Sequence, residues 1–469
     1  MSTGERPFRA INKHVNPVLG WSWLAASLAA NMVWSLPQYA ICFSVVEQNL
    51  WPEMFVEGAP LAGDVGKWAV SGGVLLISVI ITWSYGSGHW GVKLYEWMLK
   101  LVVGLIVLCF VGVVFKLSTT GEGLDWGAIL AGFVPNINHL FHPAETFQPL
   151  LDAIGDPTAK VYWTNHLVSQ QRDVMIGATA AAVGINMTFL LPYSMIGRGW
   201  GKEFRTLSIF DLSTGMFIPF LLATSCVIIA SANQFHAQPV LGLVTEAVDS
   251  QGEIIQPAKG HVGAYRGTLA KRMKDLWTEQ EKNDFKQATK GLDKEQIAAE
   301  LDKRLDAFLP SIDLAEKTLA ASLVKRDAMQ LSNSLTELTG RTVANLVFGL
   351  GVVAMTMSSI SLMMLISGFI LCEVFDVPPT GWTHRLGCLI SGVFGALWPL
   401  FWTGGAKFWL TVVASVFGAM LLPIAYWTFY LLMNQRSLLK SEMPTGMRRV
   451  AWNVLMAIAG LSATGASMY

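Results

Sequence analysis

The chain predicts an all-α polytopic membrane protein, and three observations carry that reading. Of its 469 residues, 52% are hydrophobic and only 14% charged, with a mean hydropathy of +0.45; soluble domains do not sustain that balance. The apolar residues gather in runs of roughly 20, the length a helix needs to cross hydrocarbon. Lysine and arginine collect in alternate loops between those runs, the bias that orients multi-pass proteins.

Nine spans are predicted, at 18–46, 67–84, 93–116, 173–195, 208–232, 342–371, 386–403, 407–433 and 448–467. Arg6, Arg9 and Lys13 precede the first; Arg198, Lys202 and Arg205 follow the fourth; Arg436, Lys440, Arg448 and Arg449 lie before the last. Alternation puts all three loops on one side, opposite Glu47, Glu53, Glu57 and Asp64. The expectation is a cell (inner) membrane protein with a cytoplasmic N-terminal segment, 1–17, and an external C-terminus. Trp21, Trp23, Trp83, Trp97 and Trp200 stand at run ends and are expected in interfacial belts.

Two long segments fall outside the membrane, the loop 117–172 within the five-span part 18–232, and the insertion 233–341 before the four-span part 342–469. The insertion is polar and helical in period. Ile297, Leu301, Leu305 and Phe308 form one stripe, and Leu319, Leu323, Leu331, Leu335 and Leu338 another. Asp293 and Gln296 are spaced as a capping box. A body of two to four helices is expected, with its charges on a solvated face.

Net charge is zero, so nothing argues for nucleic acid as a partner. Cys42, Cys109, Cys226, Cys372 and Cys388 lie in or beside apolar runs without a CxxC pair and read as small core residues. "MSTGERPFRAINKHVNP" lacks the apolar centre of a signal peptide. The sequence shows no nucleophile–base pair, phosphate loop or nucleotide fingerprint, so an enzyme reading has little support.

The fourth span carries the chemistry. "GINMTFLLPYSMIGRGWG" places Gly184, Asn186 and Pro192 within one short stretch. Broken helices in transporters expose carbonyls and half-helix ends to an ion near the bilayer midplane. Asn186 offers a hard amide oxygen, Met187 a soft thioether and Thr188 a hydroxyl, a mixture suited to a transition metal. The alternative is a kinked helix whose Asn186 bonds a neighbouring helix.

Further along, "IGATAAAVGINMTFLLPYSMIGRGWGKEFRTLSIFDLSTGMFIPFLLATSCVIIASANQFH" resembles the sixth and seventh helices of the NRAMP divalent-metal transporters, where a GAT-led helix is broken by Met-Pro-His. "FGLGVVAMTMSSISLMMLISGFIL" is similar to the eighth helix, and "VVASVFGAMLLPIAYWTFYLLMNQRSLL", with Leu422-Pro423, to the tenth. The resemblance implies the inverted-repeat fold shared with amino-acid transporters (LeuT/APC-like). It also implies a divalent cation such as Mn²⁺ or Fe²⁺ as substrate, with no cofactor.

The same resemblance places ligands at Gly184, Ile185, Asn186, Met187 and Thr188, opposite Ser415. The family's Met-Pro-His falls on Ile185, Asn186 and Met187, a second His on Pro192, and the tenth-helix Gln on Ser415. Its third-helix acidic pair falls on Ser35 and Gln38, so proton coupling by that route is not expected. The Asp-Pro-Gly-Asn break of the family's first helix does not occur in this sequence. The first span corresponds to the third family helix, which raises a second polypeptide supplying two helices as a partner beside the lipid bilayer. A transporter of a neutral organic solute, or a sensor or assembly subunit using the insertion, remains the alternative.

Other positions have ordinary readings. Gln38 and Pro37 suit a kinked helix, and Met357 and Ser358 suit helix packing as well as a pathway. His139, His142 and Glu145 have ligand-like spacing without helical context, Glu96 suits an edge salt bridge with Lys93 or Lys100, and Asp211 suits a brace at the start of the fifth span.

Overall fold

The computed structural model describes residues 4–84, 90–119, 123–134, 136–182, 184–197, 199–248, 254–326, 332, 340–379, 381–402 and 407–468. Asn16 accepts a 2.7 Å hydrogen bond from the Val18 N–H and Pro17 takes the first helical position. The chain thereby passes from a short amphipathic helix, α1 (Pro7–His14), into α2 (Pro17–Val45). Then follow α3 (Asp64–Trp83), α4 (Trp90–Thr119), α5 (Pro157–Ala182), α6 (Ile185–Gly197) and the helical run α7 (Lys202–Phe235). Four helices outside the spans come next: α8 (Lys259–Leu276), α9 (Glu279–Ala288), α10 (Lys294–Phe308) and α11 (Leu314–Ser322). The chain closes with α12 (Arg341–Val374), α13 (Gly381–Ala396), α14 (Leu410–Met433) and α15 (Gly446–Ser467). Among the described residues the only β pairing is an isolated Val248–Ile254 bridge.

Five described helices are long and apolar enough to cross a membrane: Asp64–Trp83, Lys202–Phe235, Thr342–Val374, Lys407–Met433 and Gly446–Ser467. α2 has the length but is diluted by buried Ser27, Asn31, Ser35 and Gln38. These polar groups sit at the centre of the molecule, where α2 packs against α12, α13 and α14. A core of Trp23, Ile185, Phe189, Ile366 and Leu422 surrounds the junction of α2, α6, α12 and α14.

Contacts between loops sort the two ends of the bundle. At one end Arg6 bonds Glu373 at 2.8 Å, His14 lies 2.9 Å from the Ser437 hydroxyl, and Lys202 and Arg205 hold Glu442 at 3.0 and 3.1 Å. At the other end Lys407 bonds Glu47 at 2.8 Å, and Lys325 lies 3.8 Å from the Trp409 ring centre. α2 separates the two groups by about 40 Å of helix, so basic loops far apart in the chain share one face.

The two extramembrane segments form one body. Phe147, Leu151, Trp163 and Leu167 from the first pack with Leu269, Met273, Leu305 and Leu319 from the second. Its helices are capped by Thr278 with Glu281 and by Asp293 with Gln296, each a reciprocal capping box. Inside, Arg272 is 2% exposed and bonds Glu316 at 3.1 Å, while the Trp163 indole donates to the same carboxylate at 2.7 Å. α5 belongs to both parts, since Trp163 lies in this core and Gly177 meets α14.

Some expectations are corrected, others agree with the structure, and a few fall outside the described residues. Trp23 is no interfacial anchor: it is wholly buried, stacked on Phe189 at 4.9 Å. Asp211 does not open a helix; the helix starts earlier, and Asp211 is exposed in a π-helical stretch, Asp211–Phe217. Pro192 breaks nothing, because α6 continues through it. The His139 and His142 carbonyls are fastened by Gln171 Nε2, both at 3.0 Å, and no metal-holding group of His, Cys, Asp and Glu occurs among the described residues. The five cysteines are free. The side chains of Lys93 and Glu96, and Arg198, Leu331, Leu335 and Leu338, lie outside the described residues.

Two measurements probe the extramembrane body. Glu316→Leu takes the nearest carboxylate from buried Arg272, leaving Asp275 at 3.5 Å and Asp156 at 4.0 Å, and is expected to cost about 1–3 kcal/mol, read by thermal unfolding and by faster proteolysis within 259–322. Lys325, half-buried beside Trp409, has its pKa lowered by burial from 10.5 to about 8. The native state therefore releases this proton first, the unfolded chain holds more protons between those values, and stability rises with pH through that window. Melting temperatures across pH 8–10.5 are expected to climb more steeply in the parent than in Lys325→Met.

Candidate site at the break between α5 and α6

α5 is described to Ala182 and α6 opens at Ile185, and Gly184, the described residue before α6, is not helical, so the fourth span is interrupted at Gly184. At Gly184 a β-carbon would stand 2.4 Å from Asn186 Oδ1, so a larger residue there has to displace that amide. The interruption brings the carbonyl end of one half-helix against the N–H end of the next, the first attracting cations and the second anions. Part of the exposed backbone is satisfied locally. The Met187 N–H meets the Gly184 carbonyl and Asn186 Oδ1, each at 3.0 Å.

Asn186 is 7% exposed and donates through Nδ2 to Asn31 Oδ1 at 2.9 Å. Asn31, wholly buried in α2, donates through its own Nδ2 to the Ser367 hydroxyl of α12 at 3.3 Å. The Ser367 and Ser391 hydroxyls lie 2.5 Å apart, and Ser391 of α13 donates to the Met363 carbonyl at 3.1 Å. A second polar thread fixes the opposite side of α6. The Trp23 indole donates to Thr188 Oγ1 at 2.9 Å, and Thr188 donates to the Ile185 carbonyl at 2.5 Å.

The sequence-proposed residues are therefore placed unequally. Gly184, Asn186 and Thr188 stand together at the opening of α6, and Met187 is 38% exposed beside them. Ile185 is 1% exposed with its side chain in the core, which leaves only its carbonyl to face an ion. Ser415 is buried on α14, but it packs against Gly177, two turns before the break, and its hydroxyl goes to the Thr411 carbonyl at 2.7 Å. Ser35 faces Gly395 of α13 and donates to the Met32 carbonyl at 2.6 Å. Gln38 is buried further along the same helix, Met357 packs into an apolar cluster with Phe43 and Ile360, and Ser358 is exposed. Asn31, Ser367, Ser391 and Trp23 were not singled out for the site by the sequence reading.

Chemically, the break offers neutral oxygens and one thioether. Each carbonyl keeps a lone pair beyond the bond it accepts, so Gly184, Ile185 and Asn186 retain capacity to face a cation. The geometry predicts a coupling between two positions. Gly184→Ala is expected to cost about 1–3 kcal/mol by overpacking, while adding Asn186→Ala removes the atom it strikes. The double variant should lose clearly less than the sum of the singles, measured as melting temperatures in detergent.

A family model described as Natural resistance-associated macrophage protein-like (Nramp) matches residues 61–266 and 314–466, well over half the chain. The unmatched stretch between them falls within the extramembrane helices, and α2 lies outside the matched residues. No curated protein matches the chain.

Proposed function

Because the chain belongs to the NRAMP family of membrane metal-ion transporters, we propose that it carries a divalent cation of the Mn²⁺ or Fe²⁺ type, bound at the break between α5 and α6. The family's LeuT-like fold fits an all-helical chain with several membrane-length helices. The observation that supports the site best is the interruption itself, with Gly184, Asn186, Met187 and Thr188 gathered at the opening of α6. Unsatisfied backbone inside a bilayer costs several kcal/mol per group unless it lines a cavity or binds something. The carbonyl end of α5, the Asn186 oxygen and the Met187 thioether are the donors in this reading. Ser415 acts at one remove, by packing the end of α14 against α5 at Gly177.

The cation is substrate, and no cofactor enters the reading. Ser35 and Gln38 do not ionise, so transport is not coupled to protons through them. The loops carrying Arg6, Arg205 and Arg436 face the cytoplasm by the positive-inside rule, which leaves the helical body of α8 to α11 outside. A second reading, transport of a neutral polar solute, draws on the uncharged hydrogen-bonding groups Asn31, Ser35, Gln38 and Asn186 on or near α2.

Proteoliposome flux separates these readings. Mn²⁺ uptake is expected to saturate, to be unchanged by an imposed pH gradient, and to fall by roughly tenfold or more in Asn186→Leu, the scale of losing one well-placed ligand. Uptake that Asn186→Leu leaves intact sinks the site. Mn²⁺ flux abolished by a neutral amino acid but not by Fe²⁺ favours the second reading.

A further inference from the structure

The polar thread that runs from the break into the scaffold has a direction, fixed at its far end by the Met363 carbonyl and at the break by the Met187 N–H. The Met363 carbonyl can only accept, so the Ser391 hydroxyl bound to it at 3.1 Å spends its proton there. Ser391 oxygen must then accept from Ser367, 2.5 Å away, which commits the Ser367 proton in turn. Ser367 is left with lone pairs for its contact to Asn31, so Asn31 turns its NH₂ toward Ser367 and its oxygen toward Asn186. Asn186 answers with its own NH₂ at 2.9 Å. Its remaining atom, Oδ1, points into the break, beside Gly184 and the Met187 N–H.

We infer that Asn31 is a positioning residue that holds the Asn186 amide oxygen-first at the α5–α6 break. Through it, buried Ser367 and Ser391 on α12 and α13 set the preference of that break for a hard cation. The inference rests on the site reading above and deepens it. An amide is nearly symmetric in shape, and its two ends differ only in whether they donate or accept. Turned the other way, Asn186 would present N–H groups to the ion and leave Met187 as the side-chain donor. A hard ion such as Mn²⁺ then loses its oxygen ligand, whereas a soft ion such as Cd²⁺ keeps its sulfur.

The test titrates the full-length chain in nanodiscs with Mn²⁺ and, separately, with Cd²⁺. Asn31→Leu and Ser367→Ala are expected to weaken Mn²⁺ binding by roughly tenfold and to shift the Mn²⁺-to-Cd²⁺ affinity ratio toward Cd²⁺. Asn31→Asp, which still accepts from Asn186, is expected to bind Mn²⁺ at least as tightly as the parent. A loss of folding alone lowers both ions by one factor and leaves the ratio where it was, which overturns the inference. Ser367→Ala removes a single hydroxyl and supplies the reading should Asn31→Leu not fold. Parent-like affinities and ratio in Ser367→Ala, with Asn186→Leu impaired, overturn the polarity thread and leave the site standing. Parent-like binding in Asn186→Leu overturns both.

Discussion

A buried amide in a membrane-length bundle has no water to turn to, so every donor and acceptor it carries must be spent on protein. Asn31 meets that constraint by joining three elements. It takes a proton from Asn186 on α6, gives one to Ser367 on α12, and reaches α13 through Ser391. Removing either partner leaves a stranded polar group in an apolar core of Trp23, Ile185 and Phe189. The angle at which α6 leaves the break is thus tied to the hydrogen bonding of two further helices, α12 and α13. Trp23 adds a second restraint, with its indole on Thr188 and its ring on Phe189.

The extramembrane body is coupled to the same place by a different route. α5 runs without interruption from Trp163, in the core of that body, to Ala182 at the break. The Arg272–Glu316 pair and the Trp163 indole hold the first turns of α5 in a fixed frame. α5 is packed at its far end against α14 at Gly177, while the opening of α6 is held by α2 through Asn31 and Trp23.

Much of this was legible in the sequence, because membrane length, loop charge and capping are local signals. The capping box at Asp293 and Gln296, the apolar runs and the basic loops each follow from a few neighbouring residues. Sidedness was legible in relative terms, as Lys202 and Arg205 meeting Glu442 illustrates. What failed depended on partners distant in the chain. Trp23 looks like an interfacial residue from its place at the edge of a run, and only Phe189 and Thr188 make it a core residue. Asn31 sits in an alanine-rich stretch with no motif of its own; the signal available was the four-residue spacing of Ser27, Asn31 and Ser35, all buried on one face. The kinked-helix alternative, with Asn186 bonded to a neighbouring helix, described the local bonding correctly. It does not compete with the proposed ion site, since the bond to Asn31 uses the amide NH₂ and leaves Oδ1, which accepts from the Met187 N–H, turned toward the break.

A site built from uncharged groups places a particular demand on geometry. A carboxylate attracts a cation from any direction, whereas an amide or carbonyl does so only along its dipole, and a reversed dipole repels. In a low-dielectric interior that difference is amplified. A chain with the Asn186 amide and backbone carbonyls as its candidate ligands must therefore fix orientation where a charged site could rely on net charge. The Met363 carbonyl does this at the far end of the thread, and its effect passes through two hydroxyls and two amides without any charged group. Because none of these groups titrates, the orientation persists across the pH range in which a carboxylate site would change its protonation. In the proposed site, selectivity is then a matter of hydrogen-bond direction, and the residues that set it lie on the scaffold helices as well as at the break.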